Sequence, residues 1–444
     1  MKKILVLVAC LIILKGFVFS SDPVQLKSSN YLLKYSLEKA HTKETIKAVW
    51  KKNGIPKMIL PIKNDVDIYE IIYKAPWVDG TWIEASGLCY VPKVKGTVPT
   101  MMYGHGTQIE KQRNISDADP QQGICLGFAT DGYLALYPDY YGIGKSNTSH
   151  LYQHAWSEAM SFVYMLYAVE ELKAKIGIET NGQLFLTGYS QGGHSSFAAQ
   201  KYIEALNDSR FQVTATSPMS GAYDMTGAQE KYMFQEYPRP FYLPYLLTSY
   251  QKAYHILDID NIYNIFRTPF DTLLPHYFED NNNKSLYALD SIMPKVPADV
   301  VKKEYVEAFK INPDYPFKKR LEENNLTEWK PKAPVQLCYC KGDREVNYKN
   351  SEIAYQNMKA LGVEKIKLNN LSDYLDHNTC AIFAVLSTKY YFDRFKNKGA
   401  NPKMKDVPKF KKMLSNIIKK KEEKKYLAGG EDIVYTSEKS EKKK

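Results

Sequence analysis

Two early stretches of the chain alternate apolar and polar positions with a period of two. Asp67 to Lys74 and Thr81 to Val91 are rich in β-branched and aromatic side chains, the pattern of strands with one buried face. Val78-Asp79-Gly80 lies between them, and Asp-Gly is a hairpin signal. The rhythm then changes. Short apolar runs at Val98 to Tyr103, Leu134 to Tyr137, Leu184 to Leu186, Phe211 to Ser217, Ala333 to Cys340 and Ile366 to Leu371 read as buried strands. Helical patterns fall between and after them, at Gly123 to Thr130, Ala155 to Ile176, the run after Gly192 and Thr379 to Phe395. Strands alternating with helices predict an α/β protein with a mostly parallel central sheet.

Two regions depart from that rhythm. Residues 25–60 read as an amphipathic helical segment ending near Gly54-Ile55-Pro56 and Pro61. Residues 225–330 are rich in Tyr, Phe, Pro and Asn, with helical pieces such as Pro297 to Ile311. This stretch reads as a mainly helical cap inserted over the carboxyl ends of the strands, where a cap shapes a substrate pocket and excludes water. The expected organisation is a helical appendage at 21–64, a core at 65–224, the cap at 225–330, the rest of the core at 331–400 and a basic tail at 401–444.

The candidate chemistry sits at one strand-to-helix junction. Leu184-Phe185-Leu186 runs into Gly188-Tyr189-Ser190-Gln191-Gly192, and a helix-forming run follows. G-x-S-x-G in that setting places its serine at the tip of a sharp turn, beside the N-terminus of a helix. Glycines two before and two after the serine let the backbone fold back without a Cβ clash. A serine hydroxyl is too weak an acid to attack at neutral pH, so it needs a base. His377 follows the last strand, and Asp343 lies just past a strand end on the loop Lys341-Gly342-Asp343. His377 would take the hydroxyl proton and later return it, while Asp343 would fix the tautomer and stabilise the imidazolium. Asp373 and Asp376 are too near His377 in sequence to reach its far nitrogen easily, and Glu345 is a further competing acid. His150 and His154 are four apart, but Leu151 stands where a zinc H-E-x-x-H motif needs Glu, so they read as ordinary polar residues. Asp139, on the glycine loop Pro138 to Ser146, is a candidate second acid but reads rather as a loop tie that accepts backbone N–H bonds.

Gly188-Tyr189-Ser190-Gln191-Gly192-Gly193-His194, together with Pro138-Asp139-Tyr140-Tyr141-Gly142-Ile143-Gly144, resembles the α/β-hydrolase superfamily and within it the secretory lipase and esterase branch. Tyr73-Lys74, Asp79-Gly80, Ser86-Gly87 and Val91-Pro92 are similar to that branch's opening strands, and the likeness spans roughly 65–395. The resemblance implies the α/β-hydrolase fold with a lid-like insertion. It implies a serine carboxylic-ester hydrolase working through an acyl-enzyme, with the catalytic order Ser190, Asp343, His377. It also implies an oxyanion hole from the backbone N–H groups of Thr107, on the loop Gly104-His105-Gly106-Thr107, and of Gln191. His105 itself reads as a structural hydrogen-bonder. The cap is not strongly apolar and the Thr107 loop has no Gly-Gly run, which leaves a smaller, more polar ester open as substrate. A serine peptidase or an acyltransferase on the same triad is the alternative reaction, and a non-catalytic surface protein keeping the fold is a further one.

Composition adds compartment and partners. Lys2 and Lys3 precede an apolar run, Ile4 to Leu14, and Val18-Phe19-Ser20 suits a signal peptidase, so residues 1–20 read as a signal peptide. The expected destination is outside the cytoplasm, periplasmic or secreted; Leu7-Val8-Ala9-Cys10 also resembles a lipobox, but the apolar run continues beyond it. The formal net charge is +11, much of it in the Lys-rich tail, which reads as a solvated end rather than a nucleic-acid arm. The 35 tyrosines suit sugars, aromatic esters or a lipid interface. The expected partner is therefore a small-molecule or lipid ester, with neither nucleic acid, metal nor cofactor. Without Cys10, the cysteines are odd in number: Cys89, Cys125, Cys338, Cys340 and Cys380. They read as buried thiols, with one bridge open in an exported protein.

Overall fold

A computed structural model describes residues 30–53, 61–279, 284–396, 416–417 and 419–424. The signal segment 1–20 and most of the basic tail lie outside the described residues. Among the described residues, nine strands form one sheet: β1 (Leu32–His41), β2 (Val66–Pro76), β3 (Trp82–Pro92), β4 (Val98–Gly104), β5 (Leu134–Pro138), β6 (Thr180–Tyr189), β7 (Val213–Met219), β8 (Val335–Tyr339) and β9 (Ile366–Asn370). Their order is β1-β2-β3-β5-β4-β6-β7-β8-β9. The β1 to β3 strands and the β3–β5 pair are antiparallel, and every pair from β5 to β9 is parallel. The hairpin forms as expected, with Asp79 Oδ1 accepting the Thr81 N–H at 2.8 Å and Gly80 at φ +85°.

The first segment departs from expectation. Leu32–His41 is a strand paired with β2, and only α1 (Lys43–Lys52) is helical. As an edge strand it leaves most residues at least partly exposed, so charged Lys34, Glu38 and Lys39 occupy it and blur the two-residue period. It is fastened by the Tyr31 and Leu32 N–H groups, which donate to the Glu171 carboxylate at 2.7 and 3.0 Å.

The parallel strands are apolar on both faces, and alternate residues feed different layers. In β4, Val98 and Met102 enter one core while Met101 and Tyr103 enter the other. The first core packs α3 (Ala155–Ile176), α4 (Gln191–Leu206) and α11 (Lys349–Ala360) on one face. The second packs α1, α2 (Pro120–Thr130) and α12 (His377–Phe395) on the other. The cap between β7 and β8 has its own apolar cluster. It holds α5 (Tyr242–Tyr254), single-turn α6 (Phe270–Leu273) and α7 (Pro275–Phe278), short α8 (Leu286–Asp290), α9 (Lys303–Ile311) and α10 (Pro316–Glu323). The helix expected from Pro297 to Ile311 is broken: Val301 makes a bridge to Phe266, separating the turn Pro297–Val300 from α9.

Candidate active site

Ser190 joins β6 to α4 with φ +61° and ψ −121°. For a residue with a Cβ that conformation costs of order 1–3 kcal/mol. Packing holds it: the Ser190 N–H donates to the Met219 carbonyl at 3.0 Å. The turn also brings backbone against backbone, since a Cβ at Gly192 would lie 1.9 Å from the Gly104 carbonyl oxygen. Ser190 occupies the N-cap position of α4, yet its side chain makes no capping hydrogen bond, so the hydroxyl is not spent on the helix. It faces a cleft with about 590 Å³ of empty volume, shared with Tyr152, Gln153, Tyr237, Tyr242 and Glu345.

The acid loop and the base helix meet beside this turn. Asp343 Oδ1 accepts the N–H groups of Glu345 and Val346, both at 2.9 Å, and Oδ2 lies 2.7 Å from His377 Nδ1. These bonds fix the carboxylate's orientation before it meets the imidazole. His377 begins α12; its carbonyl accepts the Tyr189 hydroxyl at 2.5 Å, and its ring centroid lies 4.8 Å from that of Tyr189, the residue before Ser190. With Nδ1 held by Asp343, Nε2 is the ring nitrogen left for proton exchange. Burial pushes the imidazolium pKa down, but the Asp343 charge and hydrogen bond, helped by Glu345 and opposed by Arg239, raise it on balance above the ordinary 6.5. A base must be neutral to accept a proton. A reaction that uses His377 as its base is therefore expected to speed up along an acid limb centred above pH 6.5, read from kcat/KM against pH; a limb well below that value would contradict the pairing.

The competing acids have other tasks. Asp376 caps α12, accepting the Thr379 N–H at 2.8 Å. Asp373 accepts from Asn370 at 2.7 Å, and Glu345 pairs with Arg239 at 3.2 Å. Asp139 is fully buried, but its carboxylate is held by Arg113 and by the Ser86 hydroxyl at 2.6 Å rather than by backbone N–H groups; the loop's own Gly144 and Lys145 N–H groups donate instead to the Lys111 carbonyl and the Ser86 hydroxyl, each at 2.8 Å.

Thr107 and Gln191 carry the two expected oxyanion donors. Neither backbone N–H donates to a protein group among the described residues, whereas the neighbouring Gly106 N–H is taken by Gln121 Oε1 at 2.5 Å. Gln191 is buried directly after Ser190, while Thr107 is half-buried on a loop that approaches the serine turn, a Cβ at Gly106 lying 3.8 Å from the Tyr189 carbonyl oxygen.

A set of largely buried polar residues, not evident from the sequence pattern, lies behind Gln191. Glu158 on α3 accepts the Gln191 side-chain N–H at 2.7 Å and the Gln153 backbone N–H at 3.0 Å, and it meets His194 Nδ1 at 2.9 Å. The second Gln191 contact is His150 Nε2 at 2.8 Å, while His150 Nδ1 donates to the Tyr141 carbonyl at 2.9 Å. Burial pushes the His150 pKa down to about 3, in keeping with a neutral ring that accepts from Gln191. His154 is likewise pushed down to about 3 by burial, and it caps α3 by accepting the Ser157 N–H at 3.3 Å. These histidines are thus internal supports of the turn, not solvated side chains. His105 is buried against the carbonyls of Gly106 and Asp139, a structural role. In sequence the one signal was His194, one turn past Ser190; Glu158 looks like any polar interruption of an apolar helix.

The cysteines separate. Cys340 and Cys380 form a disulfide, while Cys89, Cys125 and Cys338 are buried free thiols. No group of three or more His, Cys, Asp or Glu that could hold a metal forms among the described residues.

No family model matches the chain, and no curated protein matches it. Solved structures do. A Legionella pneumophila protein provisionally assigned as a hydrolase superposes with TM-score 0.75 at 27% identity, covering 84% of this chain and 100% of that one. The rice cell wall degrading esterase LipA from Xanthomonas oryzae, in a ligand-bound form, gives TM-score 0.71 at 26% identity, covering 82% and 96%. Candida antarctica lipase A in its closed state shares the fold alone, at TM-score 0.64 and 13% identity over 85% and 84%. By its sheet order, its serine turn and these likenesses, the chain is a member of the α/β-hydrolase superfamily, similar to its esterase and lipase members.

Proposed function

We propose that the chain is an exported serine hydrolase that cleaves carboxylic esters through an acyl-enzyme. The observation that carries this reading is a serine in a strained turn with its hydroxyl unspent, whose preceding residue Tyr189 touches the His377 of a buried Asp343–His377 pair at 2.7 Å. In the first half-reaction His377 Nε2 takes the Ser190 proton as Oγ attacks the ester carbonyl. The resulting oxyanion accepts from the N–H groups of Thr107 and Gln191. His377 then gives its proton to the leaving alcohol, and the acyl group stays on Ser190. Water repeats the sequence and releases the acid. Asp343 remains ionised and stabilises the imidazolium that forms in each half. Export rests on the pattern of residues 1–20; an N-terminus found at Met1 on protein recovered from the culture would contradict it. Hydrolysis of p-nitrophenyl esters by the wild type and by Ser190→Ala tests the reaction. Release of aminoacyl-arylamides in place of esters would favour a peptidase, and acyl transfer to an added alcohol in preference to water would favour a transferase.

A second cavity bears on chain length. An apolar pocket in the cap is lined by Leu247, Ile265, Phe309 and Phe317 among others, and it shares Met233 and Leu243 with the Ser190 cleft. Met233 is unbranched and fills space adaptably, so it is the weaker part of the partition. Met233→Ala is expected to raise kcat/KM for decanoate esters relative to butyrate esters by about tenfold, the worth of one to two buried methylenes. An unchanged ratio would show that the two cavities do not communicate along the acyl path.

A further inference from the structure

The Cys340–Cys380 bridge lies between the two loops that carry the acid and the base. Cys340 stands at the carboxyl end of β8, three residues before Asp343. Cys380 is in the first turn of α12, three residues after His377. Both are fully buried, in the layer opposite α3 and α4. The loops are pressed together at a second point as well, since a Cβ at Gly342 would lie 2.4 Å from the Tyr374 carbonyl. Backbone pairing between β8 and β9 ends just before, with Leu371 N–H to the Tyr339 carbonyl and Lys341 N–H to the Ser372 carbonyl, each at 2.8 Å. Cys340 lies between the residues that make those two bonds, and there the disulfide adds a covalent tie from the end of β8 to the first turn of α12.

We propose that the Cys340–Cys380 disulfide is the positioning element of the acid–base pair, fixing the strand end that carries Asp343 to the helix start that carries His377. The inference rests on the ester-hydrolase reading for its effect on rate, but not for its effect on the His377 imidazole. Hydrogen-bonded pairs lose their coupling steeply with distance, and a misplacement of about 1 Å in a catalytic constellation costs on the order of a hundredfold. Without the bridge, Asp343 stays bound to the Glu345 and Val346 N–H groups of its own loop, while His377 moves with α12. The groups acting on His377 are then weighted differently. Asp343 and Glu345 favour its charged form, while burial and Arg239 disfavour it, and Tyr189 holds its carbonyl through a neutral hydroxyl. Loosening the Asp343 contact lowers the pKa of His377 and moves the acid limb of activity to lower pH, as kcat falls.

The test is the His377 titration in the double variant Cys340→Ala/Cys380→Ala, followed by NMR on histidine-labelled full-length chain and assigned with His377→Gln. A control, Leu172→Ala, removes a buried side chain of α3 in the opposite layer. The expected result is a lower His377 pKa in the bridge variant alone, with kcat for butyrate ester down about tenfold or more and KM within about twofold. A bridge that only stabilises the fold would reduce activity in proportion to the folded fraction and leave the His377 titration where it is in the wild type, and that outcome overturns the proposal. Should the double variant not fold, the same titration on Cys340→Ser/Cys380→Ser, which restores more of the side-chain volume at both positions, decides between the same two results. If wild type cleaves no ester, the reaction assigned to Ser190 fails while the His377 titration still judges the bridge.

Discussion

Ser190→Ala is expected to lower kcat for p-nitrophenyl butyrate by about ten-thousandfold or more while the melting temperature holds or rises. In the proposed mechanism the hydroxyl bonds to the acyl carbon, so its loss would remove covalent catalysis altogether. What survives is the weak background from the oxyanion donors and from substrate binding. The fold should tolerate the change. Ser190 makes no side-chain capping bond to α4, and the turn is held by its backbone N–H to Met219 and by the Gly192–Gly104 approach. Alanine shares serine's Cβ and so neither relieves nor worsens φ +61° appreciably. Activity that persisted in Ser190→Ala would remove the nucleophile from the account.

Asp343→Asn is expected to cost about ten-thousandfold in kcat near neutral pH, again with little loss of stability. The reason is the direction of hydrogen bonds. Asn can still offer its oxygen to the Glu345 and Val346 N–H groups, which now meet Asp343 Oδ1 at 2.9 Å. Its NH2 then replaces Oδ2 against His377 Nδ1, at the 2.7 Å contact. An NH2 must donate, so Nδ1 becomes an acceptor and the single imidazole proton moves to Nε2. That tautomer cannot take a proton from Ser190. Removal of the carboxylate charge also withdraws the influence that raises the His377 pKa against burial, so the residual activity should show an acid limb displaced to lower pH. Measured kcat and pH profiles of the purified variant check both parts; a variant within tenfold of wild type would show that another group orients His377.

The α/β core was legible because its strands are short, apolar and regularly spaced between helices. Ala155–Ile176 is a helix at the bounds its pattern gives, and Ser190, Asp343 and His377 each fall at a carboxyl end of a strand or just beyond one. β1 was not legible. An exposed edge strand needs no apolar face, and its Lys and Glu residues resemble a helical surface. The supports of the site were harder still. Glu158 and His194 come together from α3 and α4, and only the packing of those helices puts carboxylate and imidazole 2.9 Å apart. The disulfide was hidden for a similar reason. Cys338 and Cys340 share a strand-like spacing and one core layer, and only the packing of α12 against that layer puts Cys380 beside Cys340 and leaves Cys338 a free thiol.

The proposed activation of Ser190 by His377 can be read from treatment of the purified protein with an activated alkyl phosphonate and mapping of the adduct by mass spectrometry. One adduct per chain is expected, on the peptide carrying Gly188-Tyr189-Ser190, formed at a rate that follows the acid limb of ester hydrolysis and abolished in Ser190→Ala. A chain that hydrolyses esters yet takes no adduct at Ser190, or takes it at another residue, would contradict it.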